Sequence, residues 1–166
     1  MPSSRISKEY INNLYFVTCT IKNWYYIFDR YNRWEILLEA LRFYQKNHNL
    51  KIYSWVFMLN HIHLILHNPE NYNFLQSFKS YTAHELIKNL RETEPNILRI
   101  FKVKDGYNIW RDKNYPEMIE SERFFIQKAK YIENNPVKKG YVYNPQEWKY
   151  SSANEIQLLN ITRFGI

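Results

Sequence analysis

The sequence predicts an α+β domain, an antiparallel sheet with helices packed on one face. Three observations lead there. Short β-branched and aromatic runs alternate with long amphipathic stretches. Two of the short runs, Ile52 to Met58 and Leu59 to Leu66, follow each other closely enough to form a hairpin. Finally, 166 residues at 45% hydrophobic content supply one sizeable core. A single domain over 1–166 is expected, with 1–13 and 154–166 as terminal extensions.

Leu14-Tyr15-Phe16-Val17-Thr18-Cys19-Thr20-Ile21 reads as the first strand, since its side chains suit a pleated, half-buried surface. The loop from Lys22 to Arg30 follows, with Trp24, Tyr25 and Tyr26 at its tip. These rings suit either a core or a stacking platform. Trp34, Leu37, Leu38, Leu41 and Tyr44 recur at helical spacing and predict a helix over 31–47, ended by Asn47-His48-Asn49. Ile52 to Met58 is nearly all apolar or aromatic, as a central strand requires. Asn60 separates it from the next strand. Asn68-Pro69-Glu70-Asn71 breaks the chain. Phe74, Phe78, Tyr81, Leu86 and Leu90 predict a second helix over 72–92. Pro95 to Tyr107 reads as irregular, with Gly106 in a turn, and Ile109-Trp110-Arg111 as a further short strand. A third helix runs from Glu122 to Asn134 with Phe125, Ala129 and Ile132 as its apolar stripe. Gln127, Lys128, Tyr131 and Asn135 lie on a polar face. Pro136 disfavours helical geometry at Asn135 and predicts the helix end there. Strand, helix, strand, strand, helix, strand, helix is the order of a ferredoxin-like α+β domain.

The net charge of +7 favours an anionic partner, and 18% aromatics, with 15 Tyr and 5 Trp, suit the stacking bases of single-stranded nucleic acid. A general richness in Asn, Ile, Lys and Tyr accounts for the same numbers equally well. Cys19 is the only cysteine, so neither an intrachain disulfide nor a thiolate metal site is available. It reads as a small core residue. No signal-peptide pattern and no apolar stretch of about 18 residues is present, which predicts a cytoplasmic protein without a membrane partner.

The chemistry centres on His61-Ile62-His63. In a strand, successive side chains alternate faces, so the two imidazoles share a face while Ile62, Leu64 and Leu66 take the other. Neutral imidazole is a common metal ligand. Two histidines on an ordinary polar strand face fit a bare His-x-His as well. Tyr131 and Asn135, four residues apart on one helix, are neighbours. A phenol is a possible nucleophile, but with a pKa near ~10 it needs activation. A divalent ion on the attacked phosphate supplies it. His61, His63 and the Asn135 carbonyl oxygen form a candidate ligand set for magnesium or manganese.

These segments resemble a known family. His61-Ile62-His63 resembles the metal motif of the HUH endonucleases, and Met58 to Ile65 is similar to that of single-tyrosine transposases. The REP-associated tyrosine transposases are most alike, although a proline commonly stands there where this chain has Leu59. Tyr131-Ile132-Glu133-Asn134-Asn135-Pro136-Val137-Lys138-Lys139-Gly140 resembles that family's catalytic-tyrosine segment, and Trp148-Lys149-Tyr150-Ser151-Ser152-Ala153 its closing segment. Trp110 and Tyr115 to Ile119 also fall at family-like positions. The resemblance spans roughly Leu14 to Ala153. It implies a ferredoxin-like fold and metal-dependent cleavage of single-stranded DNA near imperfect hairpins, with Tyr131 forming a 5′-phosphotyrosine. It favours a monomer over a dimer. Lys79, Lys102, Lys104, Arg111, Lys113 and Lys128 become candidate DNA-phosphate contacts, since their segments would flank the site. Two other readings remain: a non-catalytic nucleic-acid-binding module, and a hydrolase in which the histidines activate water.

Overall fold

A computed structural model describes residues 13–68 and 73–164. The break at Pro69-Glu70-Asn71, the first residue of the second predicted helix, and nearly all of the 1–13 extension lie outside them. The elements are β1 (Leu14–Thr20), α1 (Arg33–His48), β2 (Lys51–Phe57), β3 (His61–His67), α2 (Phe74–Thr93), the short α3 (Pro95–Leu98), β4 (Lys102–Val103), β5 (Gly106–Tyr107), β6 (Glu117–Met118) and α4 (Glu122–Lys138). The main sheet has the order β2-β3-β1-β6, and β4-β5 form a separate hairpin. All pairings in the main sheet are antiparallel. This is the expected ferredoxin-like α+β arrangement.

Strand parity explains the layering. Tyr15, Val17, Cys19, Ile62, Leu64 and Leu66 alternate onto one face of β1 and β3 and join Leu37, Leu41, Phe78, Leu86 and Leu90 of α1 and α2 in the main core. Cys19 is buried there, and burial pushes its thiol up to about 11, so it is inert. The expectation of helices on one face holds for α1 and α2. The third long helix, α4, takes the opposite face. Ile132, with Phe125 and Ala129 behind it, closes a smaller cluster over Phe16, Val56, Met58 and Ile65.

Three details differ from the sequence reading. The strand pairing regularly with β1 on its outer edge is Glu117–Met118, not Ile109-Trp110-Arg111. The latter contributes one bridge, Trp110 to Ile21. Its apolar character has another cause: Trp110 is buried beneath α2, its indole donating to Thr82 Oγ1 at 3.0 Å. Pro95 to Tyr107 is ordered rather than irregular, as a short helix, a 3-10 turn and the β4-β5 hairpin. Finally, α4 does not end at Asn135 but continues to Lys138 with Pro136 inside it. A proline there removes a single ladder bond in the last turn, and its own carbonyl accepts from Tyr141 at 3.0 Å.

Residues 154–164 fold back onto the domain. Arg42 holds the Leu158 carbonyl, Leu159 is buried, Thr162 donates to Ile52 at 2.8 Å, and Phe164 stacks on Phe125.

Candidate active site

The sheet face under α4 changes character along its length. At one end it is the apolar cluster of Phe16, Val56, Ile65 and Ile132. At the other, the antiparallel register sets Thr18 opposite His63 and Thr20 opposite His61. These four polar side chains lie at the edge of the region α4 covers, and a cleft of about 790 Å³ opens over them. Its lining includes Thr18, Thr20, Asn60, His61 and His63 from the sheet, Trp24, Tyr25 and Tyr26 from the loop after β1, and Tyr131, Asn135 and Lys139 from α4.

The two imidazoles are 4.8 Å apart between ring centres, at 76°. Each is oriented through Nδ1. For His61 the partner is Asn60 Oδ1 at 2.7 Å. Asn60 uses its amide nitrogen on the Trp24 carbonyl at 2.8 Å, so its oxygen is the acceptor and His61 Nδ1 carries the proton. The lone pair of His61 is therefore on Nε2. His63 Nδ1 lies 2.8 Å from Thr18 Oγ1. Burial pushes His61 down to about 4, helped by the Lys139 charge. His63 is pushed down to about 3 by burial, then by His61 and Lys128. Both rings are neutral at physiological pH, the state in which imidazole ligates.

Tyr131 stands beside this pair. Its ring meets His63 edge-on at 5.3 Å and Phe16 at 5.9 Å. It is 44% exposed, whereas the core tyrosines Tyr15 and Tyr44 are 4% and 6% exposed. One turn along, Asn135 is buried, and its Oδ1 meets no hydrogen-bond partner; the same is true of His63 Nε2. These two buried polar atoms without partners lie on one cleft, and a divalent cation fits that donor set. His61, His63 and Asn135 are the residues that would hold it. No carboxylate joins them: among the described residues, no group of three His, Cys, Asp or Glu is placed to bind a metal.

The remaining histidines lie elsewhere. His67 ends β3 at the far end of the sheet, paired with Leu14 and Lys51. His84 is exposed on α2 beside Glu85, and His48 packs near Phe43 and Tyr44. Of the other tyrosines in the family-like segments, Tyr150 packs on Trp34 and Phe57, and Tyr115 is exposed in the loop before β6.

The six basic candidates separate. Lys128 is nearest, its ammonium 4.5 Å above the Phe16 ring and 5.7 Å from that of Tyr131, and paired with Glu117 at 3.2 Å. The Arg111 guanidinium lies 4.2 Å over the Trp24 ring at the cleft rim. Lys102, Lys104 and Lys113 are exposed and are not among the residues that line the cleft. Lys79 points inward. Its ammonium donates to the Arg111 carbonyl and to Asn114 Oδ1, so it ties a loop to α2 and is not presented to a ligand. Sequence reasoning missed Thr18, Thr20 and Lys139. The threonines become visible only once β1 and β3 are paired in register. Lys139, one helical turn past Asn135, was within reach of the i to i+4 rule had the helix not been ended at Pro136.

No protein-family model matches the chain. Over 97 residues it is 31% identical to a Haemophilus influenzae protein described as a REP-associated tyrosine transposase. The match covers 56% of this chain and 53% of that protein, so the chain spans about half the length of the curated relative it matches. Its fold is similar to a solved structure of a REP-associated tyrosine transposase bound to a REP hairpin, with a TM-score of 0.67 and 20% identity over 92% of this chain and 81% of that one. The structural likeness shows the fold, and the relative is described by the name of the family that the sequence motifs resemble. No helix among the described residues is long and apolar enough to cross a membrane.

Proposed function

We propose that the chain is a metal-dependent tyrosine transposase of the HUH type that cleaves and rejoins single-stranded DNA beside imperfect hairpins. The observation that carries the reading is the position of Tyr131, half-exposed and edge-on to His63 in the cleft that also holds the partnerless His63 Nε2 and Asn135 Oδ1. Magnesium or manganese, held by His61, His63 and Asn135, would polarise the scissile phosphate.

The chain's own residues do the rest. The Tyr131 phenolic oxygen attacks phosphorus and gives its proton to water, from which the departing oxygen takes one in turn. The bond from phosphorus to the 3′-oxygen breaks, and that oxygen departs as a hydroxyl. The product is a 5′-phosphotyrosine. Attack by the same or another 3′-hydroxyl reverses the step, and because the bond energy is conserved no ATP is required. Lys128 places a positive charge beside the Tyr131 ring, which favours the approach of a phosphate. Asn60 and Thr18 hold the imidazoles in place by their Nδ1 atoms.

The test is adduct trapping. With manganese or magnesium and an oligonucleotide bearing an imperfect palindrome from the DNA flanking the gene, the protein should form a denaturant-resistant adduct. Tyr131→Phe should not, while Tyr150→Phe and Tyr115→Phe should. An adduct that persists in Tyr131→Phe rejects the nucleophile. Binding without any adduct in the unaltered protein favours the non-catalytic module.

A further inference from the structure

The loop after β1 presents three aromatic side chains to the same cleft, and catalysis as proposed uses none of them. Trp24 is 59% exposed, Tyr26 54% and Tyr25 38%. They are not equivalent. The Tyr25 ring packs edge-on to the buried Phe101 at 6.0 Å. Tyr26 shares a hydrogen bond with Tyr141 of the segment following α4. Trp24 shows neither tie among the described residues, and the Arg111 guanidinium lies over its ring at 4.2 Å.

The backbone displays that ring at a conformational cost. Asn23 and Trp24 both have positive φ, 59° and 56°. Asparagine tolerates the left-handed region, but a bulky residue there is an outlier that surrounding contacts must enforce. Those contacts are present. Trp24 N–H donates to Ile21 O at 3.0 Å, Lys22 N–H donates to Ile109 O at 2.8 Å, and Asn60 Nδ2 holds the Trp24 carbonyl at 2.8 Å. Asn60 is also the residue that orients His61. An exposed indole is thus held in a strained conformation by the same side chain that sets the candidate ligand.

We infer that Trp24 is a stacking platform for an unpaired nucleobase of the DNA strand entering the cleft, with Arg111 as the cation behind it facing the flanking phosphate. The inference rests on the proposed function and adds a base-binding subsite to it. An indole face stacks on any base, and a guanidinium against that indole brings positive charge without covering the whole ring. The net charge of +7 favours a nucleic-acid strand over an acidic-poor apolar partner.

The experiment compares two short strands of equal length and charge, oligothymidylate and its abasic counterpart, by fluorescence anisotropy in EDTA. Without metal there is no cleavage, so the measurement is independent of Tyr131. The unaltered protein should bind oligothymidylate about tenfold or more tightly than the abasic strand. Trp24→Ala should lose that preference and leave abasic binding unchanged, and Trp24→Phe should keep most of it. Because Trp24 is largely exposed, Trp24→Ala should fold, which circular dichroism verifies. The platform is rejected if the unaltered protein shows no base preference, if Trp24→Ala retains it, or if Trp24→Ala weakens both strands equally. Loss of the adduct assignment to Tyr131 would leave this result standing, and the reverse also holds.

Discussion

The two faces of the central sheet are made by the same strands and obey different rules. Toward α1 and α2, β1 and β3 present Val17, Cys19, Ile62, Leu64 and Leu66, all fully buried. Toward α4 they present Phe16 and Ile65, then Thr18, Thr20, His61 and His63. Ile62 is a core residue and His61 and His63, one position away on either side, line an open cleft. Period-two alternation lets a single strand serve both purposes, and a one-residue slip would exchange them. The first face stabilises through area removed from water. The second keeps buried polar atoms without partners, His63 Nε2 and Asn135 Oδ1, which weakens the fold and suits a ligand.

The sharpest way to separate the faces is a pair of neighbouring substitutions. Leu64→Ala, on the packed face, should cost about 2–5 kcal/mol in urea unfolding, because the cavity cannot collapse between sheet and helices. His63→Ala, on the cleft face, should cost only about 1 kcal/mol above pH 7, because it gives up the bond to Thr18 but also removes a buried nitrogen that has no partner. It should lower adduct formation by about a hundredfold or more through loss of manganese binding, read by calorimetry. If the two variants show the same pattern, the distinction between the faces fails.

Acid should weaken one face and not the other. His61 and His63 are held at about 4 and about 3, below the unfolded value near ~6.5. Below that unfolded value the unfolded chain takes up protons that the folded chain refuses. The stability contributed by these neutral rings is therefore complete above about pH 6.5, and it is lost as pH falls toward 4 and then 3. Urea midpoints between neutral and acid pH should fall in the metal-free protein. The double variant His61→Gln, His63→Gln should show a shallower fall, and an unchanged slope would place the acid sensitivity elsewhere.

A smaller effect should come from the support beneath the ligands. Thr18→Val leaves His63 Nδ1 without its partner and should cost about 1 kcal/mol. It should also weaken manganese binding about tenfold. Thr20, which has no such bond to an imidazole, should tolerate valine with less change in metal affinity. Smallest of all is Lys128→Met. Its pair with Glu117 is on the surface and should be worth at most about 0.5 kcal/mol. The salt dependence of binding to single-stranded DNA should become shallower by about one phosphate contact, and an unchanged slope would remove Lys128 from the interface.

Much of this was legible in the sequence, for local reasons. The His-x-His parity, the Tyr131 to Asn135 spacing and the apolar stripes of the long helices depend only on strand and helix periods. The order of elements was enough to give the α+β class. The errors have local causes too. Ile109-Trp110-Arg111 has strand composition, but Ile109 and Trp110 are buried, Trp110 against α2, and its one bridge is to Ile21, just past the end of β1. The proline at 136 reads as a stop, yet α4 carries it in the last turn at the loss of one bond.

What composition and periodicity determined by themselves is which residues share a face and which types can do chemistry. What only the tertiary structure decided is which faces meet. The side of the sheet that α4 covers, the register placing Thr18 against His63, the inward turn of Lys79 and the Asn60 bridge from Trp24 to His61 all join residues distant in sequence. Such contacts follow from packing the whole chain around one core, where burial of apolar area outweighs any local preference. No short window of residues contains that information.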